Sequence, residues 1–357
     1  MAEYANAAFE DRRRPRTKLW AGLAIGFFVV LAAVLYSAFW FDTAARLKDG
    51  IIEWTAAQRA AGNFVVFNNL QITGFPLSFT LSADQAVLGR TDERTFSWRA
   101  EGFRASARPW APRNLTIATP DNGATYSARG NSRNVEINAA ALRMEVQLDA
   151  RNWPNAATAH FDRPVLQILG VRDDIAAASL VVHFAGTPDG QGTLALEALD
   201  VTSGHDMLQR LGGTIDRIKT AADINGAWSP GPVDRQLDDW RLNGGTVDLH
   251  DTRLEFGGLV ADVEGTMSLD DELRPLGALT ATFLGLTEFV DRLQQAEIIR
   301  PRDAAAAKIS INLLSERTES GRLRIPITAQ FGRLAVGPLA FGDLMPIPEL
   351  LEIPNLQ

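Results

Sequence analysis

Twenty-three consecutive residues, Leu19 to Phe41, contain no Asp, Glu, Lys, Arg or His. At about 1.5 Å per residue, a helix of that length crosses a hydrocarbon core of about 30 Å. Arg12, Arg13, Arg14, Arg16 and Lys18 precede the run and Asp42 follows it. The positive-inside rule then makes residues 1–18 a basic cytoplasmic tail, 19–41 a transmembrane helix and 42–357 an exported domain. A cleaved signal peptide shares the charged start but has a shorter apolar stretch and small residues before the cut. Here the exit carries Tyr36, Phe39, Trp40 and Phe41, which suit a headgroup belt, with no convincing Ala-x-Ala site. A core helix of a soluble protein is the third reading.

Beyond this segment the composition is that of a folding chain, with 46% hydrophobic and 22% charged residues. The exported part keeps 30 basic and 40 acidic residues, a formal charge of −10, which disfavours nucleic acid and non-specific adhesion to anionic headgroups. There is no cysteine, so disulfides, cysteine nucleophiles and thiolate metal sites are excluded.

Asp42 to Gly62 reads as a helix leaving the membrane, with Leu47, Ile51, Trp54, Ala57 and Ala61 on one face. The period then changes to two. Leu77, Phe79 and Leu81 alternate with Ser78, Thr80 and Ser82 after the turn Gly74-Phe75-Pro76. The pattern returns at Leu142–Leu148, at Leu194 and Leu196, over Leu259–Leu269, and at Leu279-Ala281-Phe283, Ile309-Ile311-Leu313 and Leu323–Phe331. Alternation of this kind means one wet face, hence antiparallel sheet. The expected fold is mainly β, of the α+β kind: an N-terminal transmembrane helix, then curved antiparallel sheet with a few packing helices. Helical patterns are confined to Met207–Leu211, Val233–Leu242 and Leu284–Ile299. The segment 152–174, with Pro154 and Pro164, is where two halves of the domain would meet.

Motifs of chemistry are scarce. Gly190-Gln191-Gly192-Thr193-Leu194-Ala195 matches a dinucleotide fingerprint formally but precedes a strand, so it reads as a hairpin turn and no cofactor is expected. His160, His183, His205 and His250 lack metal spacing. Asp270, Asp271 and Glu272 read as a polar turn rather than a Ca²⁺ loop, so no metal is expected. His205 beside Asp206 is the one candidate general-base pair, against helix capping by Asp206.

The order of features resembles an alphaproteobacterial family of exported, membrane-anchored proteins, domain-of-unknown-function family 2125. The likeness rests on Ala38-Phe39-Trp40-Phe41, on the helix with Trp54 and Gly62, and on Gly74-Phe75-Pro76-Leu77 with Phe79 and Leu81. It continues through Trp240-Arg241-Leu242-Asn243-Gly244-Gly245, Val263-Glu264-Gly265, Ser268-Leu269-Asp270 and Arg274-Pro275-Leu276-Gly277, and ends in Phe331-Gly332-Arg333-Leu334 with Val336-Gly337-Pro338-Leu339. Members often carry cysteines around the Gly-Phe-Pro strand; this chain has none, so any disulfide there does not carry over. The tail is also similar to AsmA-type envelope proteins, which implies lipid handling in apolar β grooves.

Three functions follow as expectations. The first is a non-enzymatic, inner-membrane-anchored periplasmic protein binding or conveying acyl chains in a groove lined by Leu77, Phe79, Leu81, Val263, Met267, Leu269, Ile325 and Ile327. The second is a structural or assembly scaffold that binds an envelope protein partner. The third is a periplasmic hydrolase of unfamiliar motif near His205 and Asp206. What separates the first two is whether the chain makes more one-sided sheet than its helices can cover.

Overall fold

The computed structural model describes residues 16–90, 95–119, 123–129, 134–168, 172–187, 191–227, 233–314, 316–317, 321–336 and 339–348. The basic tail up to Pro15 lies outside them, as do Gly190, Gly337 and Pro338. The fold is mainly β, with 54% strand and 26% helix.

One helix, α1 (Arg16–Ala60), opens the chain. It is long and apolar enough to cross a membrane. The helix does not break where the apolar run ends, so the apolar run and the helix expected to leave the membrane form one rod of 45 residues. No Gly-Pro signal stands at residues 41–43 to stop it; Asp42 instead pairs with Arg46 one turn on, at 2.9 Å. The packed face is also rotated from the expected one. Trp40, Ala44 and Thr55 are buried, whereas Leu47 and Trp54 are exposed.

The strands follow in a meander: β1 (Asn63–Asn68), β2 (Gln71–Thr73), β3 (Phe79–Arg90), β4 (Thr95–Arg108), β5 (Ala111–Thr119), β6 (Ala124–Arg129), β7 (Asn134–Ala139), β8 (Ala141–Leu148), β9 (Pro154–Asp162), β10 (Val165–Ile168), β11 (Ile175–Ala176), β12 (Ser179–Gly186) and β13 (Gly192–Ser203). After α2 (Asp206–Arg210) come β14 (Thr214–Asn225), α3 (Val233–Leu242), β15 (Thr246–Phe256), β16 (Leu259–Leu269) and β17 (Pro275–Leu284). Two helices, α4 (Leu286–Gln295) and α5 (Pro301–Leu314), precede β18 (Glu316–Arg317), β19 (Leu323–Gln330), β20 (Arg333–Val336) and β21 (Leu339–Asp343). All strands join one antiparallel sheet. The segment expected as a waist is β9 and β10, each paired on both sides.

Eight of the short strands are halves of four bent ones. β4 pairs with β5 along one half and β6 along the other, and β13 likewise receives β12 and β11. Three of the bends lie side by side near Ala140, 163–164 and 177–178. An extra residue in a strand flips its side chains to the other face unless a second irregularity restores the phase. On β3 and β4 the apolar positions jump by three instead of two. Ala83 and Ala86 are both buried across Asp84, as are Ala100 and Phe103 across Gly102, whose φ is +64°. The face is preserved while the strand bends.

A closed core is small. Ala83, Ala86, Ala100 and Phe103 form it, capped by Phe67 and Leu70 from the first hairpin. At the other end α4 docks Val290 and Phe289 near Phe256, and Arg292 donates to the carbonyl of Leu211. Trp240 of α3 closes on Gly245, where a Cβ would lie 2.2 Å from its ring. The accessible surface is 23525 Å², against roughly 14,000 Å² for a compact globule of 38.9 kDa. The projecting helix supplies part of the excess and the open sheet part of the rest.

Residues 309–313, expected as a strand, belong to α5. Three alternating apolar residues are a weak signal beside Pro301 at the first helical position and four successive alanines, Ala304–Ala307. Ala304 packs inward while Ile309 and Leu313 point out.

The polar side of the sheet carries cross-strand ion pairs. Asp262 on β16 accepts from Arg253 Nε at 2.6 Å and is also bridged by Arg322. The bond from Arg253, opposed by partial burial and helped by Arg322, holds the Asp262 carboxyl below its ordinary value. Its stabilising contribution is therefore present above the usual carboxylate pKa of about 4 and is lost as pH falls through the lowered value. Asp262→Asn should cost about 1 kcal/mol at pH 7, and the gap in thermal midpoint from the parent should narrow steadily as pH falls below about 4; a gap independent of pH would show that the pair does not carry the effect.

Candidate functional site

Antiparallel register decides which side chains are neighbours across strands, and here it aligns apolar residues into rows. One row starts at Phe79 on β3 and passes through Ala107, Leu115, Val146, Ala157 and Phe184. It goes on through Leu194, Ala222, Leu249, Gly265, Leu279 and Ile327 to Val336 on β20. No polar side chain interrupts it. At about 4.8 Å per strand the row is about 58 Å long.

A second row runs beside it from Leu81 through Ile117, Met144, Val182 and Leu196, and ends through Val263 and Ala281 at Ile325. It contains two polar residues, Thr220 and Thr252. Their hydroxyls hydrogen-bond to each other at 2.8 Å, so each has a partner on this face. A third row, through Leu142, Phe161, Leu180, Ala198 and Ile218, begins at buried Thr119, whose Oγ1 accepts from Leu142 N at 3.1 Å. Hydroxyls on an apolar face cost free energy unless bonded; these are bonded.

Of the eight residues expected to line a groove, the register puts seven on this face. Phe79 and Leu81 stand at one end of the rows, and Val263, Met267, Leu269, Ile325 and Ile327 at the other. Leu77 is not among them. It lies on the turn before β3 and is 66% exposed, because β3 begins only at Phe79. Sequence reasoning missed the middle of the face, where Phe184 is 42% exposed and Leu194 lies beside it. An open depression of about 380 Å³ lies beside the bends, lined by Thr119, Leu142, Phe161 and Leu180 and also by Arg143, His160 and Asp162.

The ends of the sheet differ. At one end the turns carry exposed Phe75 and Leu77, then Trp110 on the two-residue turn between β4 and β5, then Trp153 between β8 and β9. The Trp153 turn is fixed by Asp149 Oδ1, which accepts from the backbone N–H of Arg151 at 2.7 Å and of Trp153 at 2.9 Å. The acidic turn Asp270-Asp271-Glu272 lies farther along this same end, and turns at the other end include Arg172-Asp173-Asp174 and Gly257-Gly258. The aromatic end is also where α1 docks. Trp40, 3% exposed, stacks on Phe79 with ring centroids 5.1 Å apart and donates its Nε1–H to the carbonyl of Ser78.

The polar candidates do not converge. His183 Nδ1 lies 2.8 Å from Thr158 Oγ1 on the polar face, and His250 lies 3.9 Å from Asp223. His205 holds the cap position of α2 without a side-chain cap bond, and Asp206 falls inside the first turn, paired with Arg210 at 2.7 Å. Capping by Asp206 is therefore corrected to an i,i+4 ion pair. Asp270 is spent on its own turn, accepting from the N–H groups of Glu272 and Arg274 and from Arg274 Nε. Among the described residues no three His, Asp or Glu side chains stand close enough to hold a metal ion. The glycine-rich segment at Gly192 closes a hairpin, Gly186 pairing with Gly192 and Thr187 N–H bonding Gln191 O at 2.7 Å.

Residues 40–345 match the model of a family described as an uncharacterized protein conserved in bacteria, DUF2125, and the chain belongs to that family. No curated protein and no solved structure matches it.

The threonine pair gives a direct check on the second row. Thr220→Val or Thr252→Val alone leaves one hydroxyl without its partner and should cost about 1–2 kcal/mol in chemical denaturation. The double variant should recover most of that loss. Additive losses would mean that the two hydroxyls do not depend on each other.

Proposed function

We propose that this DUF2125 protein is a non-enzymatic, membrane-anchored acyl-chain binder whose open β face holds or conveys lipid on the periplasmic side of the inner membrane. The observation that carries the reading is the uninterrupted apolar row from Phe79 to Val336, exposed at Phe184 and Leu194 in its middle. Water on such a surface is unfavourable, and isolated soluble chains rarely leave apolar strips of this extent uncovered.

Burial alone supplies the affinity. At about 0.8 kcal/mol per methylene, a 16-carbon chain half-covered by the face gains roughly 6 kcal/mol. No polar catalyst is needed, and the row's length suits several chains in succession or one chain in motion. The basic residues before the apolar segment of α1 and the aromatics at its exit support an N-in orientation. Exposed Trp110 and Trp153 on the turns beside that exit support a sheet whose aromatic end sits at the bilayer interface. The likeness of the tail to AsmA-type envelope proteins points the same way.

A scaffold reading has one observation in its favour: Ile309 and Leu313, one turn apart on α5, are 60% and 78% exposed and could seat a protein partner. It leaves the long row unexplained.

Native mass spectrometry of detergent-extracted protein should find co-purifying lipid, and the protein should take up a fluorescent fatty acid. Leu194→Asp places a charge in the middle of the first row at a partly exposed position. It should lower fatty-acid uptake at least tenfold while costing about 1 kcal/mol or less of stability. Absence of lipid and of uptake in the parent protein ends the proposal.

A further inference from the structure

We infer that the space between α1 and the turn before β3 is a lateral portal that takes an acyl chain from the bilayer leaflet and delivers it to the head of the apolar rows; this rests on the acyl-binding reading above. The space has a volume of about 450 Å³. Its walls are Ala33, Tyr36 and Ser37 of α1, the turn residues Phe75 and Leu77, and Trp110 of the next hairpin.

Three features fit an acyl chain. First, the wall is effectively hydrocarbon. Its two hydroxyls are already bonded inward, Tyr36 to the carbonyl of Pro76 and Ser37 to the carbonyl of Ala33 at 2.7 Å. Neither hydroxyl is left to favour a polar ligand, and the one other side-chain donor in the wall is the indole N–H of Trp110. Second, it lies at the level of the apolar segment. Ala33 to Ser37 belong to the uncharged run, and the outward neighbours Val34 and Leu35 are exposed, so the opening faces whatever hydrocarbon surrounds the helix. Third, it connects. Phe75, one wall, packs against Trp40 at 5.5 Å, and Trp40 stacks on Phe79, the first residue of the longest row. Phe75, Leu77 and Trp110 are all substantially exposed, as a rim that contacts lipid would be.

The test uses the full-length protein in vesicles of phosphatidylethanolamine and phosphatidylglycerol. A photo-crosslinking benzoylphenylalanine replaces Leu77 at the portal or Leu194 in mid-row, and lipid adducts are counted by mass spectrometry. Both positions should form adducts. Ala33→Phe fills the portal and should cut the Leu194 adduct at least fivefold, with the thermal midpoint unchanged. Val29→Phe, on the same helix but outside the portal, should leave the adduct at its parent level. Adducts at Leu194 that survive Ala33→Phe overturn the portal and leave the acyl-binding face standing. Equal loss in Ala33→Phe and Val29→Phe also overturns it, as a general effect on the helix. No adduct at Leu194 in the otherwise unaltered protein, with adducts still formed at Leu77, overturns the acyl-binding face itself and the portal with it.

Discussion

Backbone register is the constraint on which the rest of this structure depends. In a two-layer fold an apolar side chain slightly out of line still finds a neighbour in the opposite layer. Over most of this sheet there is no opposite layer, and each apolar residue is shielded chiefly by residues one strand to either side. A slip of one residue anywhere would send a strand's apolar set to the charged face, where Arg253, Asp262 and Lys219 stand. The bends are therefore paired with phase corrections, as at Asp84 and Gly102, and the polar face is locked by cross-strand ion pairs. Glycines serve the same end. Gly265 has φ +144°, and a Cβ there would lie 2.4 Å from Ala278 O, so the row crosses β16 only because that position has no side chain.

Much of this was legible in the sequence, and the reason is local. Alternation within β3, β8, β16 and β19 is a property of single strands, so fold class and the shared face of seven of the eight residues expected to line a groove could be read directly. Errors arose where a short pattern met a stronger signal. The alternation at Ile309–Leu313 lost to a proline and an alanine run; Leu77 continued the period of β3 but fell on its turn. The rotated face of α1 has a different cause. Leu47, Ile51, Trp54, Ala57 and Ala61 do make an apolar stripe, but Trp40 had been assigned to the apolar segment alone. In a continuous helix its stacking on Phe79 decides which side faces the sheet.

What no linear reading could supply is the set of rows. Leu81 and Ile325 are 244 positions apart, yet belong to one line because ten intervening strands keep step. Thr220 and Thr252 look like ordinary polar strand residues until register puts their hydroxyls together and lets each satisfy the other. The same device recurs at Thr119, Tyr36 and Ser37. Each bonds inward, so a face assembled from a moderately polar sequence presents little but hydrocarbon.

The continuity of α1 gives these rows a direction. A helix that broke at Asp42 would let the sheet swing about a hinge, and the end of the row nearest the apolar segment would be undefined. An unbroken helix instead fixes the sheet at two distant points. Trp40 bonds Ser78 beside the head of the row, and Arg59, five turns later, donates to the carbonyl of Val65 on β1. These two attachments align β1 to β3 along the rod, and every later strand inherits that orientation through the meander. Phe79 thus stands beside the apolar segment while Val336 lies at the far end of the row, about 58 Å along it. A scaffold would need no such polarity in its apolar surface. A conveyor of acyl chains needs one end of its track fixed at the source, and that is where a rigid helix, an aromatic stack and a hydrocarbon-walled space coincide.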